Sequence, residues 1–231
     1  MRLNRFFLNI DLDSPKIRIT DLEVLNQVRN VLRLKSGDQF VICDGKLNEA
    51  LVSVDTFNKD SIEAEVLSVN RNQNEPERHV VLYCSVLKKE NFELVAQKAT
   101  EVGVKEIVPI ITERTVKLNL NIERLEKIIK EAAEQSGRGI VPVLHKPIEF
   151  EKALDNQNDI NYFFDASGEK LDTQSDKSLK RVGVWIGPEG GWSDKERELA
   201  TSKQFKSVSL GPLTFRAETA AITGIFLVLD I

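Results

Sequence analysis

Apolar residues in the first 70 positions fall in short runs. Residues 5–10, 16–20, 39–44, 49–57 and 61–69 are rich in Val, Ile and Phe. The last two runs alternate in part with period two, the spacing of a strand with one covered face. Asn58-Lys59-Asp60 between them suits a hairpin turn. One helix is predicted over residues 21–34. Asp21 can cap it, Leu25, Val28, Val31 and Leu32 share a face, and Gly37-Asp38 closes the segment. Five short strands and one helix predict a small β-barrel.

Residues 70–78, Asn-Arg-Asn-Gln-Asn-Glu-Pro-Glu-Arg, contain no apolar residue and are the best linker candidate. The period changes after them. Residues 80–86 form a buried-type strand. Phe92, Val95, Ala96, Ala99 and Val102 then make a helical stripe that Gly103 stops. Residues 107–111 are a strand. Residues 122–136 are a helix with Ile122, Leu125, Ile129, Ala132, Ala133 and Ser136 on one side. Strands at 141–144, 160–164, 182–186 and 207–210 alternate with helices near 149–156, at 194–203 and from about 217. Alternation of this kind predicts an α/β domain with a parallel sheet covered on both faces. The expected domains are 1–72 and 73–231.

Composition narrows the class. Of 231 residues 41% are hydrophobic, which predicts a packed protein rather than a disordered one. No apolar run approaches the roughly 20 residues that span a bilayer, and the apolar start of the chain is too short for a signal peptide. A cytoplasmic protein is expected. Cys43 and Cys84 sit inside apolar runs and read as buried small residues. No Cys/His spacing suggests zinc, and no metal is expected. His79 and His145 lie beside strand-like runs and read as surface or strand-edge residues. The net charge of −4 argues against wholesale electrostatic binding of nucleic acid but leaves room for a local basic patch. Residues 1–35 carry such a surplus: Arg2, Arg5, Lys16, Arg18, Arg29, Arg33 and Lys35 against four acids.

Two segments near the C-terminus carry the candidate chemistry. Ile186-Gly187-Pro188-Glu189-Gly190-Gly191-Trp192-Ser193 follows a buried strand and precedes a helix that Ser193 or Asp194 can cap. Ligands of open α/β sheets bind beyond the carboxyl ends of strands, and glycines let backbone amides approach them closely. Leu210-Gly211-Pro212-Leu213-Thr214-Phe215-Arg216 repeats the arrangement, with Arg216, Glu218 and Thr219 clustered at a helix start. The helix dipole disfavours a cation there, so Arg216 points to a function or to a salt bridge with a nearby acid. There is no phosphate-binding G-x-x-x-x-G-K-[ST]. The first strand of the α/β part is followed by Leu87-Lys88-Lys89-Glu90-Asn91, without the glycines a dinucleotide fold needs.

Several motifs together resemble the RsmE family of 16S ribosomal-RNA uridine-N3 methyltransferases, within the SPOUT superfamily. They are Gln97-Lys-Ala-Thr-Glu-Val-Gly103, Thr112-Glu-Arg114, Glu131-Ala-Ala-Glu-Gln-Ser136 with Arg138, Ile186-Gly-Pro-Glu-Gly-Gly191, and Leu210-Gly-Pro212 with Arg216 and Glu218-Thr-Ala220. Arg5-Phe-Phe7 and Asn30-Val-Leu-Arg33 add to them. Gln27 and Leu213 depart from the family pattern, where His and Arg are frequent. The resemblance implies a PUA-like β-barrel that binds RNA, followed by a SPOUT-type α/β domain with a deep trefoil knot, in a homodimer. It implies S-adenosylmethionine as cofactor, held by Ile186, Gly187, Gly191, Leu210, Gly211, Leu213, Thr219 and Ala220. It implies Arg216, Glu218 and Glu189 as catalytic residues, and Arg5, Arg29, Asn30, Arg33, Lys88, Arg114 and Arg138 as RNA contacts. The implied substrate is a uridine of small-subunit ribosomal RNA, free or in the assembled subunit. Two other readings stand beside this one: methylation of a different RNA atom, such as a ribose 2′-hydroxyl, and an RNA-binding assembly factor without catalysis.

Overall fold

The computed structural model describes residues 3–116, 119–172 and 178–229. Arg2 of the basic N-terminal stretch lies outside them. The chain divides into two compact units, Met1–Glu75 with Ala133–Val141, and Pro76–Ala132 with Pro142–Ile231.

The first unit is built on β1 (Arg5–Phe7), β2 (Lys16–Ile19), β3 (Gln39–Cys43), β4 (Asn48–Asn58) and β5 (Ser61–Arg71). Among the described residues they form one mixed sheet in the order β1-β3-β4-β5-β2, in which only β1 and β3 run parallel. Its covered face carries Phe6, Ile17, Ile19, Phe40, Ile42, Val52 and Ile62. The predicted helix is α1 (Leu22–Asn26), and the Asp21 carboxylate accepts the Val24 N–H at 3.0 Å as its cap. A π-helical turn, Gln27–Val31, follows, with Leu32 N bonded to Gln27 O at 2.8 Å. The wider turn takes one more residue per revolution, so the side chain after Val28 that returns to the core is Leu32. Val31, expected on the buried face, is 67% exposed.

The polar stretch 70–78 is not a solvated linker. Strand β5 runs through Arg71, and Asn72 is buried, donating to Glu49 Oε2 and to Gly137 O at 2.9 and 3.1 Å. Glu75 accepts the Gly139 N–H at 3.0 Å. These polar groups hold the returning segment 133–141 in the first unit, a return that a linear boundary at 72/73 does not describe.

The second unit is a sheet of β6 (His79–Ser85), β7 (Glu106–Ile111), β8 (Val143–Leu144), β9 (Ile148–Glu149), β10 (Ile160–Lys170), β11 (Arg181–Ile186) and β12 (Lys206–Ser209). Its order is β12-β10-β11-β6-β7-β8, β9 also pairs with β7, and every described pair is parallel. The helices are α2 (Lys89–Val102), α3 (Ile122–Ser136), α4 (Phe150–Ala153), α5 (Asp194–Ser202) and α6 (Ala217–Leu229). The α2 and α3 stripes are buried as their spacing predicts, at Phe92, Val95, Ala96 and Ala99 and at Leu125, Ile129 and Ala132. Gly103 ends α2 at φ +125°, its N–H returned to Ala99 O. Four elements differ from the prediction: the strand expected at 141–144 is only β8, and β9 is not among the expected strands. The helix near 149–156 is the single turn α4, and β10 continues to Lys170. After Phe164 its side chains turn polar and its register with β12 shifts, so only the first half shows an apolar run. No helix among the described residues is long and apolar enough to cross a membrane.

At the amino end of this sheet, His79, Glu106 and Arg181 are the first residues of β6, β7 and β11. Glu106 accepts from Arg181 Nη2 at 2.8 Å and is hydrogen-bonded to His79 Nε2 at 2.6 Å and His145 Nε2 at 2.7 Å, with Arg181 Nη1 also 2.8 Å from His79 Nε2. Both histidines are thus partly exposed at strand ends and tied to one carboxylate.

Candidate cofactor site

The carboxyl ends of β6, β7, β11 and β12 lie near one row, which crosses β10 at Phe164. Val208, Phe164, Ile186, Cys84 and Pro109 are paired across β12, β10, β11, β6 and β7. Beyond this row, residues 187–193 leave β11, 210–216 leave β12, and 112–115 leave β7. Strand β11 sits between β10 and β6, where the strand order reverses, the place where open parallel sheets bind ligands.

The glycines of the first loop have different work. A Cβ at Gly187 would stand 2.9 Å from the Trp192 ring, so its absence seats that indole. Trp192 donates Nε1 to Phe164 O at 2.9 Å and stacks on Phe163 at 4.3 Å between ring centres. Gly191 has φ +68° with nothing within 4 Å of its Cβ position. In the second loop Gly211 has φ +122° and the same open surroundings. Left-handed backbone beside open space is what a ligand lying against the main chain requires. Ile186 is buried in the sheet, so only its backbone is available. Leu210 and Ala220 are half-buried, Thr219 is exposed, and Leu213 is 73% exposed.

Both acidic candidates lie near enough to the end of β6 for their charges to act on Cys84. Burial pushes the Cys84 thiol up, and the nearby charges of Glu189 and Glu218 push it further, which places both carboxylates around that strand end. Glu189 is exposed, with Oε1 at 3.4 Å from the Lys88 N–H. Glu218, in the first turn of α6, is only 8% exposed, and its Oε2 has no hydrogen-bond partner among the described residues. A buried carboxylate is costly unless something compensates it. The start of a helix compensates in part, and a bound cationic group would complete the balance. Arg216 is exposed and makes no ion pair among the described residues, so the salt-bridge alternative is not realised there. Open glycine backbone, a half-compensated carboxylate and an adjacent guanidinium fit a cationic cofactor that carries polar groups.

The RNA candidates divide. Lys88, exposed at the start of α2, and Arg114, whose Nη1 donates to Gly190 O at 2.7 Å, stand at the rim of this site. The others belong to the first unit. Asn30 and Arg33 are exposed there. Arg5 is ion-paired to Glu49, and Arg29 donates to the carbonyls of Lys59 and Ser61 at 2.9 and 2.8 Å. Arg138 is 4% exposed and paired to Glu75. These last three side chains hold their own unit together. Sequence reasoning also passed over Glu196, buried beside the site. Its one legible signal was the Ser193-x-x-Glu196 capping box, which the structure contains.

Comparison with known proteins matches this geometry to a family. A family model described as an RNA methyltransferase domain matches residues 73–228. The ribosomal RNA small subunit methyltransferase E of Rickettsia conorii is 32% identical over 97% of this chain and 94% of its own. The protein of the same name from Bacillus subtilis is 27% identical over 95% and 93%. A crystal structure of ribosomal RNA small subunit methyltransferase E from Neisseria gonorrhoeae, bound to S-adenosyl methionine, superimposes with a TM-score of 0.91 at 28% identity, covering 99% of this chain and 98% of that one. Similarity that spans both units, includes the two glycine loops and exceeds 30% identity is family membership: the chain belongs to the ribosomal RNA small subunit methyltransferase E family.

Proposed function

We propose that this protein transfers a methyl group from S-adenosylmethionine to N3 of a uridine in small-subunit ribosomal RNA. The observation that carries the reading is a pair of open, left-handed glycines in the loops that leave β11 and β12, followed at the start of α6 by Glu218 with a buried, unpartnered Oε2, in a chain of this family. Gly191, Leu210, Gly211, Leu213, Thr219, Ala220 and the backbone of Ile186 and Gly187 would hold the cofactor. When bound, it supplies an electrophilic methyl group on a sulfonium.

The rest falls to residues of this chain. Uridine N3 carries a proton and is a poor nucleophile until that proton leaves, so a base and a stabiliser of the resulting anion are needed. Glu189 is exposed where RNA reaches it and takes the proton. Arg216, exposed just before α6, faces the charge that builds on the flanking carbonyls or pins the target phosphate. Glu218, buried in the first turn of α6, orients Arg216 rather than meeting the RNA.

The finer architecture belongs to the same proposal. The second unit is read as a SPOUT-type knotted domain. The reading is supported by β11 lying between β10 and β6 and by α6, last in the chain, packing on α2, β6 and β11. The five-stranded first unit is read as the PUA-like RNA-binding domain, and the protein as cytoplasmic. The protein is read as a homodimer, and the exposed Phe226 and Leu227 of α6 are assigned to its interface.

Mass mapping of methylated nucleosides, in ribosomal RNA treated with the protein and S-adenosylmethionine, tests the function. 3-Methyluridine in the small-subunit RNA is the expected product. A 2′-O-methylated nucleoside would move the activity to ribose. No new methyl group, together with no cofactor binding in calorimetry, would leave an RNA-binding module.

A further inference from the structure

Glu196 is 4% exposed, and its two oxygens serve two different loops. Oε2 accepts the Ser193 N–H at 2.8 Å and closes the capping box of α5. That bond needs one oxygen. The other, Oε1, accepts the N–H of Glu113 at 3.0 Å, from the loop that leaves β7. The same loop is fixed on both sides of Arg114. Thr112 N donates to Thr115 Oγ1 at 2.9 Å, and Ser85 Oγ lies 3.0 and 3.1 Å from the hydroxyls of Thr112 and Thr115. Arg114 then places Nη1 on Gly190 O at 2.7 Å, within the glycine loop, while its side chain stays exposed. One donor is used there out of the five that a guanidinium presents in a rigid fork.

We propose that Glu196 is a positioning residue for RNA: its bridge from Ser193 to Glu113 holds the 112–115 loop against the glycine loop and so presents Arg114 to a phosphate of the substrate beside the reacting base. The inference rests on the methyltransferase reading above. Its chemistry differs from a plain cap. A cap would concern α5 alone, whereas this carboxylate joins the loops after β7 and β11, and the one cation between the two anchored residues stands at the rim where RNA must pass. A phosphate is the oxyanion that such a fork suits.

The test uses the full-length protein with small-subunit ribosomal RNA, comparing Glu196→Ala, Arg114→Ala, the double variant and Ser193→Ala. Glu196→Ala is expected to raise the KM for RNA about tenfold, with kcat and the S-adenosylmethionine Kd within about threefold of the parent. It should also flatten the plot of log KM against log salt by about 0.7 to 0.9, the share of one phosphate contact. That readout is specific. Removing an acid strengthens the general attraction for RNA, so a flatter slope arises only if a cation has lost its phosphate. Arg114→Ala should give the same two changes and the double variant no more than either. Ser193→Ala, which weakens the cap but leaves the bridge, should give neither. Should Glu196→Ala fail to fold, Glu196→Gln keeps a capping-box residue with a single oxygen for two N–H groups, and the same changes are expected at smaller size. A folded Glu196 variant with unchanged RNA KM and salt slope overturns the inference, as does additivity with Arg114→Ala. Failure of the methyltransferase reading would look different, since the unaltered protein would then not methylate RNA.

Discussion

Arg138 donates Nε and Nη2 to the two oxygens of Glu75, at 3.0 and 2.8 Å, and both side chains are more than nine-tenths buried. The pair fastens the returning segment 133–141 to the end of the first unit's polar stretch. Removing one partner of such a pair leaves a buried charge uncompensated. Arg138→Ala should therefore destabilise the protein by about 3 kcal/mol in chemical denaturation. The folded fraction should keep its RNA affinity and its salt dependence. Weaker RNA binding by a fully folded Arg138→Ala protein would restore the role expected from the sequence.

Gly191 and Gly187 should fail in different ways. Gly191→Val meets no neighbour but forces a branched residue to φ +68°, which costs about 1 to 2 kcal/mol, and sets its side chain in the open space beside the loop. Calorimetry should find S-adenosylmethionine binding lost while circular dichroism shows the fold retained. Gly187→Ala drives a methyl group against the Trp192 ring at 2.9 Å, so the loss should appear first as a lower melting temperature. Normal cofactor affinity in Gly191→Val would remove that glycine from the site.

Arg216 should act on the transition state more than on the cofactor. It is exposed, without an ion pair among the described residues, and two positions from the buried Glu218. Lysine keeps the charge but not the fork of donors. Arg216→Lys is expected to lower the methylation rate by about a hundredfold, the scale of one lost oxyanion donor. Cofactor affinity should change far less. Equal losses in both would assign Arg216 to holding the cofactor, and an unchanged rate would take it out of the chemistry.

Glu106 makes stability depend on pH at the other end of the sheet. Burial raises its proton affinity, but hydrogen bonds from His79, His145 and Arg181 outweigh that and hold the carboxyl below its usual range. A depressed carboxyl contributes stability that is present above the unfolded value and lost as pH falls through the folded one. Glu106→Gln should therefore cost on the order of 1 kcal/mol at neutral pH. The gap to the parent should begin to narrow as pH falls below the ordinary carboxylate value of about 4.3, and close once pH has passed below the depressed folded value. Urea titrations at pH 7 and pH 3.5 measure it, and an equal gap at both would show that the carboxylate's charge contributes nothing.

Element type was legible along most of the chain because it depends on local spacing. The α2 and α3 stripes, the Asp21 and Ser193 caps, the β4–β5 hairpin and the glycine loops at strand ends all announce themselves within a few residues of sequence. Local spacing does not report which distant group a polar side chain meets. Val31 left the core because a π turn shifted the phase by one residue. Residues 70–78 and Arg138 looked like a linker and an RNA contact until the return of 133–141 buried Asn72 against Gly137 and paired Arg138 with Glu75. The Ser193-x-x-Glu196 spacing signals a cap, but the second oxygen of Glu196 found Glu113 only because the carboxyl ends of β7 and β11 face the same side of the sheet. Sequence by itself determined the elements, the parallel sheet and the two loops beyond it. The burial of charges and the pairing of their oxygens were decided by tertiary structure, since a desolvated polar group must find its partner wherever the fold brings one within hydrogen-bonding distance.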